Sequence, residues 1–236
     1  GSILVFLPGQ GEIKRVETRL REQIRDPLID IAPLFGAMDQ QAQDLAVQSA
    51  RHGRRKIVLA TSIAETSLTI EGVRIVLDSG LARVPRYEAG LGLTRLETVR
   101  VSRAAADQRR GRAGRTEPGI CIRLWEEAAT GAMEAFARPE ILSADLSGLV
   151  LDCAAWGVPD LKTLTLLDQP PLPALKEASS LLESIGALDA DRRITSDGLK
   201  IRSLPVPPRL ARMIISAGRT GDALLAAYIS AILTER

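Results

Sequence analysis

The chain has 236 residues with a formal net charge of +2, and 45% hydrophobic and 25% charged residues are typical of a globular protein with one or two domains. The apolar runs fall well short of the roughly 18 residues of a membrane span, and the first residues lack the pattern of a secretory signal. The only cysteines, Cys121 and Cys153, are too few for a disulfide framework or a cysteine-based zinc site, so we expect a cytoplasmic protein.

The first half of the chain alternates between strand-like and helix-like segments. Short apolar runs predict strands at residues 3–7, 57–60, 73–77 and 120–124, and helical spacing predicts a helix over 12–24 and the end of a second across 45–50. Short buried strands separated by helices favour a parallel α/β sheet. Such sheets bind ligands at the carboxyl ends of their strands, so we expect the chemistry in the loops after Leu7, Ala60 and Leu77.

After about residue 126 the pattern becomes mainly helical. One helix has its apolar face at Leu175, Ala178, Leu182 and Ile185, and residues 186–195 look like a short hairpin. Residues 195–208 are expected to break regular structure, and a helix is expected to resume over 209–234. Domain boundaries are therefore predicted near residues 128 and 204.

Basic residues are concentrated in one region. The chain has 26 arginines against 5 lysines, and the segment from Arg95 to Arg115 contains seven arginines against Glu97 and Asp107, a local charge of about +5. Arginine makes two-point contacts with phosphate and carboxylate oxygens, which indicates phosphate as a partner. The alternative for the overall arginine excess is a solvated surface encoded by a GC-rich genome.

The stretch QRRGRAGR, residues 108–115, is the most unusual in the chain. If it is helical, Gln108, Arg112 and Arg115 share one face, where an amide and two guanidinium groups suit the transition state of phosphoryl transfer. Gly111 and Gly114 each cost a helix about 1 kcal/mol, and would let a facing surface come close. The alternatives are an arginine-glycine element that binds RNA nonspecifically, or a basic helix end.

A second unusual stretch follows the predicted strand at 57–60. TSIAETSLTI, residues 61–70, is rich in hydroxyl groups. Hydroxyls and backbone amides in a loop after a strand are groups that bind phosphates without reading bases. The alternative is a loop whose hydroxyls cap local backbone groups.

Several segments together carry a family resemblance. TSIAETSLTIEGVRIVLDSG (61–80) and QRRGRAGR (108–115) closely resemble motifs V and VI of the DEAH-box helicases of superfamily 2, and ILVFLPGQGEI (3–13) is similar to their motif IV. PEILSADLSGLVL, LDQPP and ESIGAL resemble the winged-helix region that follows, most closely in the bacterial HrpB-type branch. The resemblance implies a RecA-like parallel sheet with helices on both faces over residues 1–128, a mainly helical winged-helix domain over 129–203, and the start of a helical bundle over 204–236.

The same resemblance implies roles for residues that would contact a nucleotide. Gln108 would position the hydrolytic water, and Arg112 and Arg115 would be arginine fingers for phosphates held by the first RecA-like domain. Ser67 matches a serine that senses the γ-phosphate. Two further nucleotide contacts are implied at Thr69 and Glu71, although aspartate is common in the family at position 71.

For nucleic acid, the resemblance implies three contacts. Thr61 matches a threonine that touches the backbone of single-stranded RNA. Residues 83–101, which include Arg83 and Arg86, correspond to a β-hairpin beside the RNA strand, and their alternation around Gly90 and Gly92 independently predicts a hairpin.

Two departures from the family pattern affect the prediction. Val47 stands where many relatives place an aromatic side chain on the adenine, so relaxed nucleotide selectivity is expected. The sequence also lacks the G-x-x-x-x-G-K-[ST] phosphate loop and the D-E-A-H motif. We therefore expect a C-terminal portion of an RNA helicase, inactive alone, with ATP and Mg²⁺ held mainly by the first RecA-like domain of the full-length chain. The alternatives are a nucleic-acid-binding module without a motor and a DNA-directed helicase.

Overall fold

A computed structural model of the protein describes residues 1–66, 68–88, 90–115 and 117–234. They form two compact units, one of residues 1–84 and 97–137, the other of residues 85–96 and 138–236. None of the helices in these ranges is both long and apolar enough to cross a membrane.

The elements follow one another in this order. The first half contains β1 (Ser2–Phe6), α1 (Gln10–Gln23), β2 (Ile29–Leu34), α2 (Gln40–Val47), β3 (Arg55–Ala60), α3 (Ile63–Thr66), β4 (Val73–Asp78), β5 (Leu81–Glu88), β6 (Leu93–Arg100), α4 (Arg103–Gly111), β7 (Ile120–Arg123) and α5 (Glu127–Gly131). The second half contains α6 (Ser147–Ala155), α7 (Leu172–Ser184), α8 (Ser196–Arg202), α9 (Pro208–Gly218) and α10 (Ala223–Thr234), with short 3₁₀ turns at Glu140–Leu142 and Leu161–Thr163.

The first unit is built on a five-stranded sheet in the order β2-β3-β1-β4-β7, and every neighbouring pair is parallel. Successive side chains of a strand point to opposite faces. Leu4 and Phe6 of β1 pack with Ala46 of α2, whereas Val5 packs with Ile13 of α1. The prediction of a parallel α/β sheet with helices on both faces is therefore confirmed.

Strand β2 was not predicted from the sequence, because its run IDIAPL contains Asp30 and Pro33. Proline has no N–H for a sheet ladder and is confined to edges. Strand β2 is an edge strand that pairs only with β3, so Pro33 is accommodated there.

The loops that position the site leave the sheet at one edge. The N–H of Leu7, just after β1, donates to the carbonyl of Ala60 at the end of β3 over 2.8 Å. The N–H of Ser79, just after β4, donates to the carbonyl of Phe6 over 3.2 Å. The carboxyl ends of β1, β3 and β4 are thus adjacent, as the sequence predicts for the three loops.

The hairpin predicted over residues 83–101 is present as the two-stranded sheet of β5 and β6. Its turn includes Gly92, which adopts a φ of +62°, a conformation that other residues rarely adopt. A Cβ at Gly92 would collide with the guanidinium of Arg209, so the glycine also permits a close contact with α9.

The second unit packs α6, α7, α8 and α9 around one core, to which Leu151, Leu182, Ile201 and Ala211 contribute one residue from each helix. The hairpin-like segment at 186–195 is reduced to one antiparallel bridge between Leu188 and Ile194. The division of the chain at residues 128 and 204 stays a prediction.

Two expectations for this half are wrong. Residues 195–208 were expected to be irregular, but α8 lies within them: the Oγ1 of Thr195 caps this helix by accepting from the N–H of Gly198 over 2.9 Å. Gly198 within this helix is required for packing, since a Cβ there would strike the carbonyl of Ala187. The expected helix over 209–234 is interrupted between Gly218 and Ala223, and forms α9 and α10.

Candidate functional site

Helix α4 carries the first part of the arginine-rich stretch. The Oγ of Ser102 begins the helix by accepting from the N–H of Ala105 over 3.1 Å, and the helix ends at Gly111. Gln108 lies in its last turn and is exposed. Arg112 follows as the capping residue and Arg115 lies beyond the helix, so the expectation that all three side chains project from one helix is wrong.

The helix ends there for local reasons. The N–H groups of Arg112 and Ala113 donate to carbonyls three residues earlier rather than four, which tightens the final turn. The glycines at 111 and 114 have little preference for helix. A Cβ at either glycine would meet no described atom within 4 Å, so the expected close approach of a facing surface is not found within the described chain.

Arg112 points toward the loop that follows β3. Its side chain is buried, with 8% of the residue exposed. Nη1 donates to the carbonyl of Leu68 over 2.8 Å, and Nη2 donates to the carbonyl of Glu65. Burial, and secondarily the positive charge of Arg115, lower the pKa of the Arg112 guanidinium from its ordinary value. Arg112 therefore holds the main-chain carbonyls of Glu65 and Leu68 in place.

Arg115 is exposed and contacts the same loop farther along. Its Nη1 donates to the Oγ1 of Thr69 over 2.7 Å. This contact brings together a predicted finger residue and a predicted nucleotide contact. Glu71 is exposed just beyond, and Ser67 lies outside the described residues.

Thr61 lies at the junction of β3 and α3. Its N–H donates to the carbonyl of Leu34 over 3.2 Å, and its own carbonyl accepts from the N–H of Ala64 over 3.2 Å. The residue is half-buried. Thr61 thus stands at the sheet edge where the loops converge, as the sequence predicts.

The two predicted hairpin arginines both lie on β5. Arg83 belongs to the first unit, where its Nη2 lies 3.2 Å from a carboxylate oxygen of Glu12 and its guanidinium covers Gly9. Arg86 is exposed and belongs to the second unit. The positive charge of Arg83 is therefore partly compensated by α1.

Sequence reasoning missed Arg109, which is fully buried at 0% exposure. Its Nε donates to Glu65 over 2.7 Å, and its Nη1 donates to Asp78 over 2.8 Å. The partners lie 44 and 31 residues away in sequence, so only the fold reveals them. An acidic residue that directly follows the apolar run Ile75–Leu77, as Asp78 does at the end of β4, is the sequence signal that could have indicated a buried cation.

Comparison with known proteins gives consistent matches. Residues 1–117 match the family described as the helicase conserved C-terminal domain. The chain is 47% identical over 235 residues to the ATP-dependent RNA helicase HrpB of Escherichia coli (strain K12). This alignment covers 100% of this chain and 29% of that protein. It is 36% identical over 240 residues to the ATP-dependent RNA helicase HrpA of the same organism, which covers 99% of this chain and 18% of that protein.

Solved structures agree with these matches. A crystal structure of the E. coli DEAH/RHA helicase HrpB aligns with a TM-score of 0.90 at 47% identity, over 100% of this chain and 30% of that one. A second crystal structure, of the E. coli DExH-box NTPase HrpB, aligns with a TM-score of 0.83 over 100% of this chain and 29% of that one. The chain thus spans less than a third of the length of these relatives.

Proposed function

We propose that this chain, which belongs to the DEAH-box helicases and is similar to the bacterial HrpB proteins, is part of an ATP-dependent RNA helicase. Its sheet has the RecA-like fold of these proteins. In this proposal residues 1–128 are the second RecA-like motor domain, 129–203 a winged helix, and 204–236 the start of a helical bundle. The first RecA-like domain of the full-length polypeptide would complete the nucleotide site.

The observation that carries the proposal is the contact between Arg115 and Thr69. The guanidinium and the hydroxyl meet at 2.7 Å, and both residues are exposed at the end of the sheet where ligands of this fold bind. Gln108, on the preceding helix, is exposed as well. An amide, a hydroxyl and a cation that remain accessible are suitable groups for a polyphosphate and an attacking water.

The roles of these side chains follow from their chemistry. The Arg115 guanidinium would neutralise charge that develops on phosphate oxygens, and the Gln108 amide would orient the hydrolytic water. Thr69 would hold Arg115 in position until phosphate oxygens replace the hydroxyl as its acceptor. Arg112 would support the main chain at Glu65 and Leu68 and add positive potential beside Arg115.

The donor set fits phosphates better than it fits a cation. The described residues contain no group of three or more His, Cys, Asp or Glu side chains that could hold a metal ion. Mg²⁺ would thus be held mainly by the first RecA-like domain, where it would neutralise phosphate charge. For this chain's own part, the proposal assigns phosphate contacts to Arg112, Arg115 and Thr69, and further nucleotide contacts to Ser67 and Glu71.

The nucleic-acid contacts are proposed at Thr61, Arg83 and Arg86. The hydroxyl of Thr61 would touch the backbone of single-stranded RNA, and the two arginines on β5 would contact its phosphates. Contacts to phosphate give affinity without reading the base sequence. A strand held in this way would move when the cleft between the two motor domains closes on ATP and reopens after hydrolysis.

The test is the Arg115→Ala variant of the full-length protein. We expect ATP hydrolysis to fall by about 10³-fold, as the loss of an arginine finger typically costs, while RNA affinity is largely kept. Arg110→Ala is the matched control, because Arg110 is exposed five residues earlier and pairs with Asp107 over 3.5 Å. An equal loss of RNA binding and hydrolysis in Arg115→Ala would favour an arginine element that only binds RNA.

Nucleotide selectivity gives a second test of the proposal. Val47, the last residue of α2, packs partly buried against the core and has no aromatic face to offer a base. We therefore expect the full-length protein to hydrolyse ATP, GTP, CTP and UTP at similar rates. A strict preference for ATP would contradict this expectation.

Two further aspects belong to the proposal. RNA is favoured over DNA on the basis of the relatives, and RNA and DNA of the same sequence as stimulators of hydrolysis would test it. Equal stimulation would favour a helicase that acts on either nucleic acid.

A cytoplasmic location is proposed because Cys121 and Cys153 are both free thiols, which is usual in reducing compartments.

A further inference from the structure

Arg109 is a buried cation with several polar contacts and one aromatic contact. Its Nε donates to a carboxylate oxygen of Glu65 over 2.7 Å. Its Nη1 donates both to Asp78 over 2.8 Å and to the carbonyl of Leu81 over 3.2 Å. The guanidinium carbon lies 4.8 Å from the centroid of the Phe6 ring. One buried cation therefore contacts four separate segments of the first unit.

Burying such a network is an expensive way to stabilise a fold. Each enclosed ion loses several kcal/mol of hydration, and apolar residues of similar volume often give an equally stable or more stable core. The network is also incompletely satisfied: Nη2 of Arg109 lies 2.6 Å from a carboxylate oxygen of Glu65, but Oδ2 of Asp78 is buried without a hydrogen-bond partner among the described residues. Stability alone therefore does not explain why the cation is there.

The segments that Arg109 joins are the ones to which different functions are proposed. Glu65 lies in α3, within the loop that leads to Thr69, and its main-chain carbonyl also accepts from Arg112. Leu81 is the first residue of the hairpin strand β5. Asp78 closes β4 and fixes the turn into the hairpin, because its Oδ1 accepts from the N–H of Gly80 over 2.9 Å. Arg109 therefore connects α3, which leads to the proposed phosphate contacts, with the residues at which the hairpin begins.

We propose that Arg109 is a positioning residue that couples α3, which leads to the proposed phosphate contact Thr69, to residues 78–81 at the start of the RNA-contacting hairpin. A displacement of Leu81 or Asp78 is transmitted to Glu65 through one rigid guanidinium. The carbonyl of Glu65 also accepts from Arg112, which is one of the proposed phosphate contacts. RNA at the hairpin would thereby change the position of the groups that promote hydrolysis. This inference rests on the proposed helicase function.

The experiment uses Arg109→Lys in the full-length protein. Lysine keeps the buried charge but replaces the planar fork by a point donor, so it cannot serve Glu65, Asp78 and Leu81 together. We expect the stimulation of ATP hydrolysis by RNA to fall about tenfold, in the range usual for coupling between two sites. Hydrolysis without RNA and the affinity for RNA should stay at the level of the unmodified protein.

Arg54→Lys is the matched control. Arg54 also makes a two-point contact with a carboxylate, that of Asp30, but this pair lies at the amino end of β2, away from the site. We expect it to keep the full stimulation by RNA. If both variants lose stimulation in proportion to a lower melting temperature, Arg109 is only a structural residue and the inference is wrong.

A second variant keeps the inference testable if Arg109→Lys does not fold. Glu65→Gln weakens only the contact between Arg109 and Glu65, because the contacts of Arg109 to Asp78 and Leu81 remain. The Glu65 side chain is 16% exposed, so the substitution should be tolerated. It should lower RNA stimulation in the same direction, and the double variant should lose no more than the greater of the two single losses. Additive losses would contradict coupling through Glu65.

The outcomes separate this inference from the proposed function. An unmodified protein whose hydrolysis RNA does not stimulate overturns both. An unmodified protein that RNA stimulates, together with equal stimulation of Arg109→Lys and Glu65→Gln, overturns the coupling and leaves the helicase proposal intact.

Discussion

The two arginines at the end of the QRRGRAGR stretch should differ sharply in what they contribute to stability. Arg112 is 8% exposed and donates to two main-chain carbonyls, those of Glu65 and Leu68. Arg115 is exposed and donates only to the hydroxyl of Thr69. The perturbation is therefore Arg112→Ala compared with Arg115→Ala, both in the present 236-residue chain.

The magnitudes follow from these contacts. A hydrogen bond from a charged donor contributes about 1.5–3 kcal/mol, so Arg112→Ala forfeits about 3–6 kcal/mol before water enters the space and recovers part of it. We expect a loss of about 3 kcal/mol in the free energy of unfolding of the first unit. Arg115→Ala removes one solvent-exposed bond, so its cost should stay below about 1 kcal/mol.

Urea unfolding followed by tryptophan fluorescence measures this difference. Trp125 belongs to the first unit, where its ring covers Gly80 and its Nε1 donates to the hydroxyl of Thr130 over 3.0 Å. Trp156 is 74% exposed in the second unit, so a Trp156→Phe background leaves Trp125 as the reporter. Equal losses for the two arginine variants, or a larger loss for Arg115→Ala, would refute the asymmetry.

Three more predictions concern the stability of the chain. Gly119→Ala should lower the free energy of unfolding in urea by about 1–3 kcal/mol, because its Cβ would strike main-chain carbonyls. Gly111→Ala, whose Cβ meets no described atom within 4 Å, should raise it by up to about 1 kcal/mol. A neutral Gly119→Ala would contradict the packing. Leu182→Ala removes a side chain with 0% exposure and should cost the second unit about 3–4 kcal/mol in thermal unfolding, and a loss below 1 kcal/mol would refute its place in the core. The hydrogen bond from Arg54 lowers the pKa of Asp30 below its ordinary 3.8, so the stability lost in Asp30→Asn should be present above that value and should disappear as the pH falls through the lowered pKa; a difference that persists in acid would show another cause.

The sequence predicted those parts of the fold that depend on local pattern. Four strands of the main sheet contain short apolar runs, and in β1, β3 and β4 these runs are largely buried, as is usual in a parallel sheet. Strand β2 escaped prediction since Pro33 is tolerable only at a sheet edge, and a single sequence does not reveal which strand is the edge. The second half was harder, because α8 lies in a segment expected to be irregular, where Gly198 is required by its contact with Ala187.

The candidate site divides in the same way. The family resemblance implied that Arg115 and Thr69 both face the nucleotide, and the structure places their side chains in contact. The sequence did not predict that α4 ends at Gly111, because the carbonyls that hold Arg112 come from 44 and 47 residues away. Long-range partners of this kind are set by the fold and leave no periodic signal.

The enclosed charge network has a consequence for how this protein can evolve. Arg109 and Asp78 are fully enclosed and Glu65 nearly so, and losing the arginine alone would strand two anions in the interior. A lineage that changes one of these positions therefore loses fitness unless a compensating change arises elsewhere in the trio. Positions 65, 78 and 109 should therefore be substituted together during evolution, whereas exposed neighbours such as Arg110 should be substituted independently.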